Sequence, residues 1–123
     1  MRILAATMIL ASAAAAGAQN VAPDIAIAAA KNQQGLLEFC AAQGHIPPEA
    51  ARTQARVIAS FPPAQDAALV EDAYRKGRGG TVSAMQIEEP LAEAATGQGT
   101  TAAAMCAELA QAAEQAALQL PQQ

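Results

Sequence analysis

Two cysteines and a single histidine are the side chains in this 123-residue chain whose types best suit chemistry. His45 follows Cys40 after a few residues, and Cys106 lies far along the chain. A cysteine nucleophile with a histidine base would need a free thiolate at Cys40. Widely spaced cysteines without a C-x-x-C pattern are more typical of a structural disulfide in an oxidising compartment, with two free thiols as the alternative. We therefore predict a Cys40–Cys106 disulfide and a non-catalytic turn histidine.

Charged side chains offer two further candidate sites. Glu88, Glu89 and Glu93 supply carboxylates for acid–base work, but they fit a solvated surface better because no aromatic pocket wall accompanies them. The basic, glycine-rich segment 75–80 suits an anion, yet it has neither P-loop nor G-x-G-x-x-G spacing and fits a flexible connector better. His45 also lacks partners at metal-ligand spacing. We predict no catalytic, cofactor-binding or metal-ligating residue, and hence no enzyme.

The N-terminal residues predict export. Arg2 supplies a positive start, and an apolar run follows over residues 3–16. Ala-Gly-Ala then matches the small-x-small pattern of a cleavage site. We predict a signal peptide at residues 1–18, a cut after Ala18 and a periplasmic or secreted location, with an ordinary alanine-rich helix as the alternative. The run is too short to span a bilayer, and we expect no membrane association.

Composition and charge narrow the classes of partner and fold. Residues 19–123 are enough for a single domain. Acidic residues outnumber basic ones by 11 to 7, so the net charge of the full chain is −4. No basic residue follows Arg78, and we expect no nucleic-acid partner because phosphate binding depends on lysine and arginine. Alanine is the commonest residue and tryptophan is absent, so the core is thin and gains much from a covalent link.

Helical spacing, caps and breakers predict about four to five helices after the signal peptide. They run from Pro23 to Gly44, from Pro48 to Ser60, from Ala64 to Lys76, from Leu91 to Thr96 before Gly97, and from a Thr100 or Thr101 cap to Pro121. Gly77 is expected to end the third helix. Thr81 to Ile87 fits a short helix or an extended piece about equally. The predicted fold class is all-α: a small bundle whose two ends are tied by one disulfide.

Residues 91–106 also have the helix, glycine turn and helix pattern of a DNA-binding helix-turn-helix. The second helix carries no arginine, lysine or asparagine for base contacts. An exported protein would not meet DNA either. We therefore interpret this stretch as a helical hairpin.

Two weak resemblances to known proteins add functional hypotheses. The segments Gln34–Gly44 and Gln98–Cys106 look like those of short exported bacterial proteins labelled as pore-forming relatives of the WXG-type secreted helical hairpins. The general layout of short length, export signal, helices and long-loop disulfide also resembles the HdeA-type acid-stress chaperones of the bacterial periplasm. Neither resemblance supplies functional residues.

The leading sequence-based hypothesis is a non-enzymatic periplasmic or secreted binding or structural protein of unknown partner. An acid-responsive chaperone is the second hypothesis, because neutralising the carboxylates at low pH reverses the net charge and loosens a thin core. A pore-forming or membrane-active protein is the third. Its last helix is acidic and alanine-lined, whereas interfacial helices usually carry basic residues and bulky apolar anchors.

Overall fold

The computed structural model describes residues 23–84 and 86–121 as a helical protein with one β-hairpin. The predicted signal peptide, residues 1–18, lies outside the described residues. In chain order the elements are α1 (Pro23–Ala42), α2 (Glu49–Ala59), α3 (Ala67–Arg78), β1 (Thr81–Ala84), β2 (Ile87–Pro90), α4 (Leu91–Gly97) and α5 (Ala102–Ala117). The prediction of a small, mainly helical fold is confirmed. No described helix is both long and apolar enough to cross a membrane.

Two helices, α3 and α5, begin where a side chain accepts a hydrogen bond from a free backbone amide. The Asp66 carboxylate accepts from the Leu69 amide at 3.1 Å, so α3 begins a few residues later than the predicted Ala64. Thr101, one of the two predicted caps of the last helix, accepts from the Ala104 amide at 3.1 Å. Short polar side chains at these positions therefore set the starts of α3 and α5.

Two glycines end helices in the same way. Gly44 and Gly99 adopt left-handed backbone angles, with φ of 78° and 71°, after α1 and α4. The amide that follows each glycine donates to a carbonyl one turn back, at 3.0 Å from His45 and 2.9 Å from Thr100. The predicted stop at Gly44 is confirmed. The predicted stop at Gly97 is wrong, because Gly99 makes the left-handed turn and Gly97 is the last residue of α4.

Close packing of α1 against α3 explains why Gly77 does not end its helix. A Cβ atom at Gly77 would lie 2.9 Å from the Leu36 amide nitrogen, and one at Gly35 would lie 2.7 Å from the Arg78 amide nitrogen. Both glycines are buried where the two backbones meet. The prediction that Gly77 opens a flexible basic loop is therefore wrong, since Gly77 and Arg78 belong to α3.

The stretch with two sequence interpretations contributes to two strands, since Thr81–Ala84 forms β1 and Ile87 begins β2. β1 and β2 form an antiparallel hairpin that pairs Thr81 with Pro90 at one end and Ala84 with Ile87 at the other. Gln86 lies in the turn with a φ of 68°. The Leu91 amide donates to the Gly80 carbonyl at 2.9 Å, so the first residue of α4 continues the pairing.

The core consists of two small clusters, and the disulfide is part of the first. Cys40 in the last turn of α1 and Cys106 in α5 are bonded, with Cα atoms 5.7 Å apart. Both cysteines are fully buried beside Leu36 and Leu91. The second cluster joins α1, α2 and α5 through Leu37, Ala50, Ala51 and Ala113. The predicted link between the two ends of the bundle is confirmed.

The last helix is shorter than predicted. α5 ends at Ala117, and the Gln119 and Leu120 amides then donate to carbonyls three residues back in tighter turns. Within and just after this helix, Cys106 and Ala113 are buried, whereas Leu109, Ala116 and Leu120 are half-buried. Leu118, directly after α5, is 82% exposed and contributes little to the packing.

Candidate functional site: a groove between two helices and the hairpin

An open groove lies where α1, α3 and the hairpin meet, and we call it the α1–α3–hairpin groove. It encloses about 400 Å³, a size within the range of small-molecule sites. Its lining includes Ile25 and Ala29 of α1, Leu69 and Ala73 of α3, and Ser83 of β1. The depression exists because the alanine side chains end at Cβ and do not fill the space between the larger aliphatic residues.

Two large apolar side chains, Ile25 and Leu69, form what we call the floor of the groove, and both remain in contact with water. Ile25 is 47% exposed and Leu69 is 44% exposed, although both lie on helices that pack against each other. Neighbouring Ala73 is buried. A bound apolar group would therefore remove Ile25 and Leu69 from water, which favours binding in proportion to the area covered.

A three-residue ion cluster forms the rim. The Lys76 ammonium lies 2.9 Å from the Asp72 carboxylate and also contacts the Glu88 carboxylate of β2. The hydrogen bond from Lys76 is the largest cause that lowers the pKa of Asp72. The bonds to Glu88 and then Asp72 raise the pKa of Lys76. Asp72 and Lys76 are therefore charged at neutral pH, and the ion pair between Lys76 and Glu88 connects α3 to the hairpin.

Asn32 connects the three elements that form the groove, namely α1, α3 and β1. Its side-chain amide donates to the Ala73 carbonyl at 2.9 Å and to the Thr81 carbonyl at 3.0 Å. Its side-chain oxygen accepts from the Ser83 amide at 3.0 Å. The side chain thus occupies the outer edge of β1 as a neighbouring strand would. Because Asn32 is buried and fully bonded, α1, α3 and β1 keep a defined spacing.

The sequence alone assigned no role to Asn32. The available signal was one amide side chain within an otherwise apolar stripe that includes Ile25, Ala29 and Leu36. A buried amide needs hydrogen-bond partners. That requirement indicates a polar contact inside the core, but it does not identify the partners.

A second surface cluster surrounds Tyr74 on the other side of α3. The Tyr74 hydroxyl donates to the Glu38 carboxylate at 2.6 Å. The charged ends of Lys31 and Arg78 lie 4.8 Å and 5.7 Å from the centre of the Tyr74 ring. Burial is the largest cause that raises the pKa of Tyr74, followed by the hydrogen bond to Glu38. The phenol therefore stays protonated, and the cluster supports packing of α3 on α1.

The residues that the sequence suggested for catalysis or metal binding do not form one site. Cys40 is in the disulfide, while His45 is exposed in the turn after α1. Of the three glutamates considered, Glu88 reaches the groove rim, and Glu93 is exposed on α4. Glu89 is half-buried on β2. Over the described part of the chain, no group of three histidine, cysteine, aspartate or glutamate residues is arranged to hold a metal ion.

The predicted basic loop is also placed differently. Arg75 and Lys76 lie in α3, and both contact Asp72. Arg78 ends α3, where its side chain is 3.9 Å from Glu38. These basic groups are distributed around a helix end and do not surround one anion site.

No known protein family matches the chain, and no curated protein or solved structure matches it either.

Proposed function

We propose that the chain is an exported, non-enzymatic binding protein whose α1–α3–hairpin groove takes one small amphiphilic molecule. The observation that carries this proposal is a groove of about 400 Å³ with an apolar floor and a charged rim. An apolar floor supplies affinity, while a few polar groups orient the ligand. Asn32 holds the surrounding elements together, so little ordering would be needed on binding.

A binding role fits the groove better than catalysis does. Two of its charged residues, Asp72 and Glu88, both pair with the third, Lys76. Its described lining contains neither histidine nor cysteine. A catalytic site needs a nucleophile or base in a geometry that reaches a substrate, whereas this arrangement resembles the rim of a ligand site.

Export rests on the N-terminal sequence and is supported by the disulfide. The pattern of residues 1–18 is that of a secretory signal, and a buried disulfide persists best in an oxidising compartment. N-terminal sequencing of the exported protein, which we expect to begin at Gln19, tests this part of the proposal.

The binding proposal is tested with the neutral fluorescent probe N-phenyl-1-naphthylamine. We expect the probe to bind the parent protein and the variant Leu69→Asp to bind it about tenfold or more weakly, because a charge replaces an apolar contact. Leu69 lies in the first turn of α3, where an acidic residue is favourable for the helix. The variant should therefore remain folded, as circular dichroism can verify.

Leu118→Asp is the matched control, since Leu118 is 82% exposed at the end of α5 and does not line the groove. It should bind the probe as the parent does. Equal binding by the parent and Leu69→Asp, or equal loss in both variants, would contradict binding in the groove. The acid-responsive chaperone and the membrane-active protein stay predictions from the sequence.

A further inference from the structure

We infer that the ligand of the α1–α3–hairpin groove is a cationic amphiphile, with its apolar chain on Ile25 and Leu69 and its ammonium group at Glu88. This inference rests on the proposed function and names the chemical class of the ligand. Three observations support it: the charge balance of the rim, the engagement of Lys76 and the exposure of Glu88.

Negative charge predominates among the residues that line the groove. Two carboxylates, Asp72 and Glu88, face one ammonium group, that of Lys76. Arg75 is the other cation in contact with this cluster, and its guanidinium bonds to Asp72 at 2.8 Å while remaining 66% exposed. Arg75 does not line the groove. A ligand inside the groove therefore meets a net negative rim.

Lys76 already forms ion pairs with two carboxylates. Its ammonium contacts Asp72 and Glu88 together, and these contacts raise its pKa. An anionic head group would have to displace one carboxylate from Lys76 and then remain beside both. Like charges at such short distances repel. An anionic ligand is therefore disfavoured.

Glu88 retains binding capacity that a cation can use. Its Oε1 atom contacts Lys76, its Oε2 atom accepts no hydrogen bond from a described residue, and its side chain is 50% exposed. An ionised carboxylate accepts several hydrogen bonds through its two oxygens. An alkylammonium donates three N–H groups and matches this acceptor. Its alkyl chain can then cover the aliphatic floor.

The test compares three decyl compounds, each below its micelle concentration, by isothermal titration calorimetry at low salt. We expect decylammonium to bind about three- to fivefold more tightly than 1-decanol, the scale of a partly exposed ion pair. Decyl sulfate should bind more weakly than 1-decanol. The preference for decylammonium should shrink as salt is added, because salt screens exposed charges.

Two variants in the rim of the groove distinguish a cationic ligand from an anionic one. Lys76→Met keeps an aliphatic side chain and removes the competing ammonium, so it should strengthen decylammonium binding by about threefold. Glu88→Gln should abolish the preference over 1-decanol. Arg52→Met on α2 and Glu93→Gln on α4 change the net charge equally and are exposed away from the groove. Both control variants should bind decylammonium as the parent does.

The outcomes separate the two proposals. If decyl sulfate binds best, or if Lys76→Met weakens decylammonium binding, the ligand is not cationic even though the groove binds amphiphiles. The same conclusion follows if the control variants shift binding as much as the groove variants do. If none of the decyl compounds binds, both the cationic ligand and the groove as a binding site are wrong.

Discussion

Asn32 shows how one polar residue can position three elements. It is 2% exposed, and its side chain makes hydrogen bonds to α3 and to the backbone groups of Thr81 and Ser83 on the outer edge of β1. A β-strand edge needs partners for its backbone groups when it is buried. In this protein a side-chain amide supplies them. The hairpin therefore packs against α1 without a third strand.

Replacement of Asn32 should unfold the protein more easily. We expect Asn32→Ala to lower the free energy of unfolding by about 2–3 kcal/mol, because it leaves the Ser83 amide and two carbonyls without their partner. Urea unfolding of the oxidised protein measures this change. Gln111→Ala, at an exposed amide on α5, should change stability little, and a similar loss in both variants would contradict the role of Asn32.

The contact between α1 and α3 is the element-scale feature that forms the groove. These helices approach closely because Gly35 and Gly77 have no side chain where the backbones meet. The depression lies along the same pair of helices, beside the small side chains of Ala29 and Ala73. The Asp24 carboxylate near the start of α1 also accepts from the Gln65 and Asp66 amides, at 2.9 Å and 2.7 Å. Two separate contacts therefore align the pair of helices.

An added methyl group should disturb this contact. We expect Gly35→Ala to lower the free energy of unfolding by about 1–3 kcal/mol, because its Cβ would overlap the backbone of α3. Thermal and urea unfolding measure the effect. Gly97→Ala is the matched control, since an added Cβ there meets nothing within 4 Å and alanine favours the helix. Unchanged stability of Gly35→Ala would show that the helices can separate without cost.

At the scale of the whole molecule, a covalent link supplements a small core. Among the described residues, the largest fully buried side chains are Leu36, Leu37, Leu91 and the two cysteines. Alanine contributes little apolar area to the rest. The disulfide closes a sequence separation of 66 residues and connects α1 to α5. It therefore restricts the unfolded chain where non-covalent packing is limited.

Removal of the disulfide should cost much of the stability. We expect the double variant Cys40→Ala and Cys106→Ala to lose about 4 kcal/mol of unfolding free energy, from the entropy of the opened loop. Alanine avoids burying new hydroxyl groups beside Leu36 and Leu91. Urea unfolding of the variant and of the reduced parent should agree. A loss below about 1 kcal/mol in both would mean that packing alone holds the two ends together.

Most helix positions were predictable because their signals are local. The Thr101 cap acts on an amide three residues ahead, and Gly44 ends α1 within one turn. The Asp66 cap is equally local, but the prediction started that helix at Ala64. The prediction for Gly77 was wrong because of a contact in the tertiary structure. Glycine often follows the end of a helix, but Gly77 lies inside α3, where the absence of a side chain allows close packing against α1. The hairpin was ambiguous because its short strands carry no clear alternation.

By itself the sequence determined the helical character, the cap of the last helix and the pairing of its two cysteines. These depend on residue types within a few positions, or on there being only one way to pair Cys40 with Cys106. Tertiary structure alone decided the groove and its rim. Asn32 and Ala73 are 41 positions apart, and Lys76 meets Glu88 across two different elements. Such contacts depend on how α1, α3 and the hairpin pack together, and no local pattern encodes that arrangement.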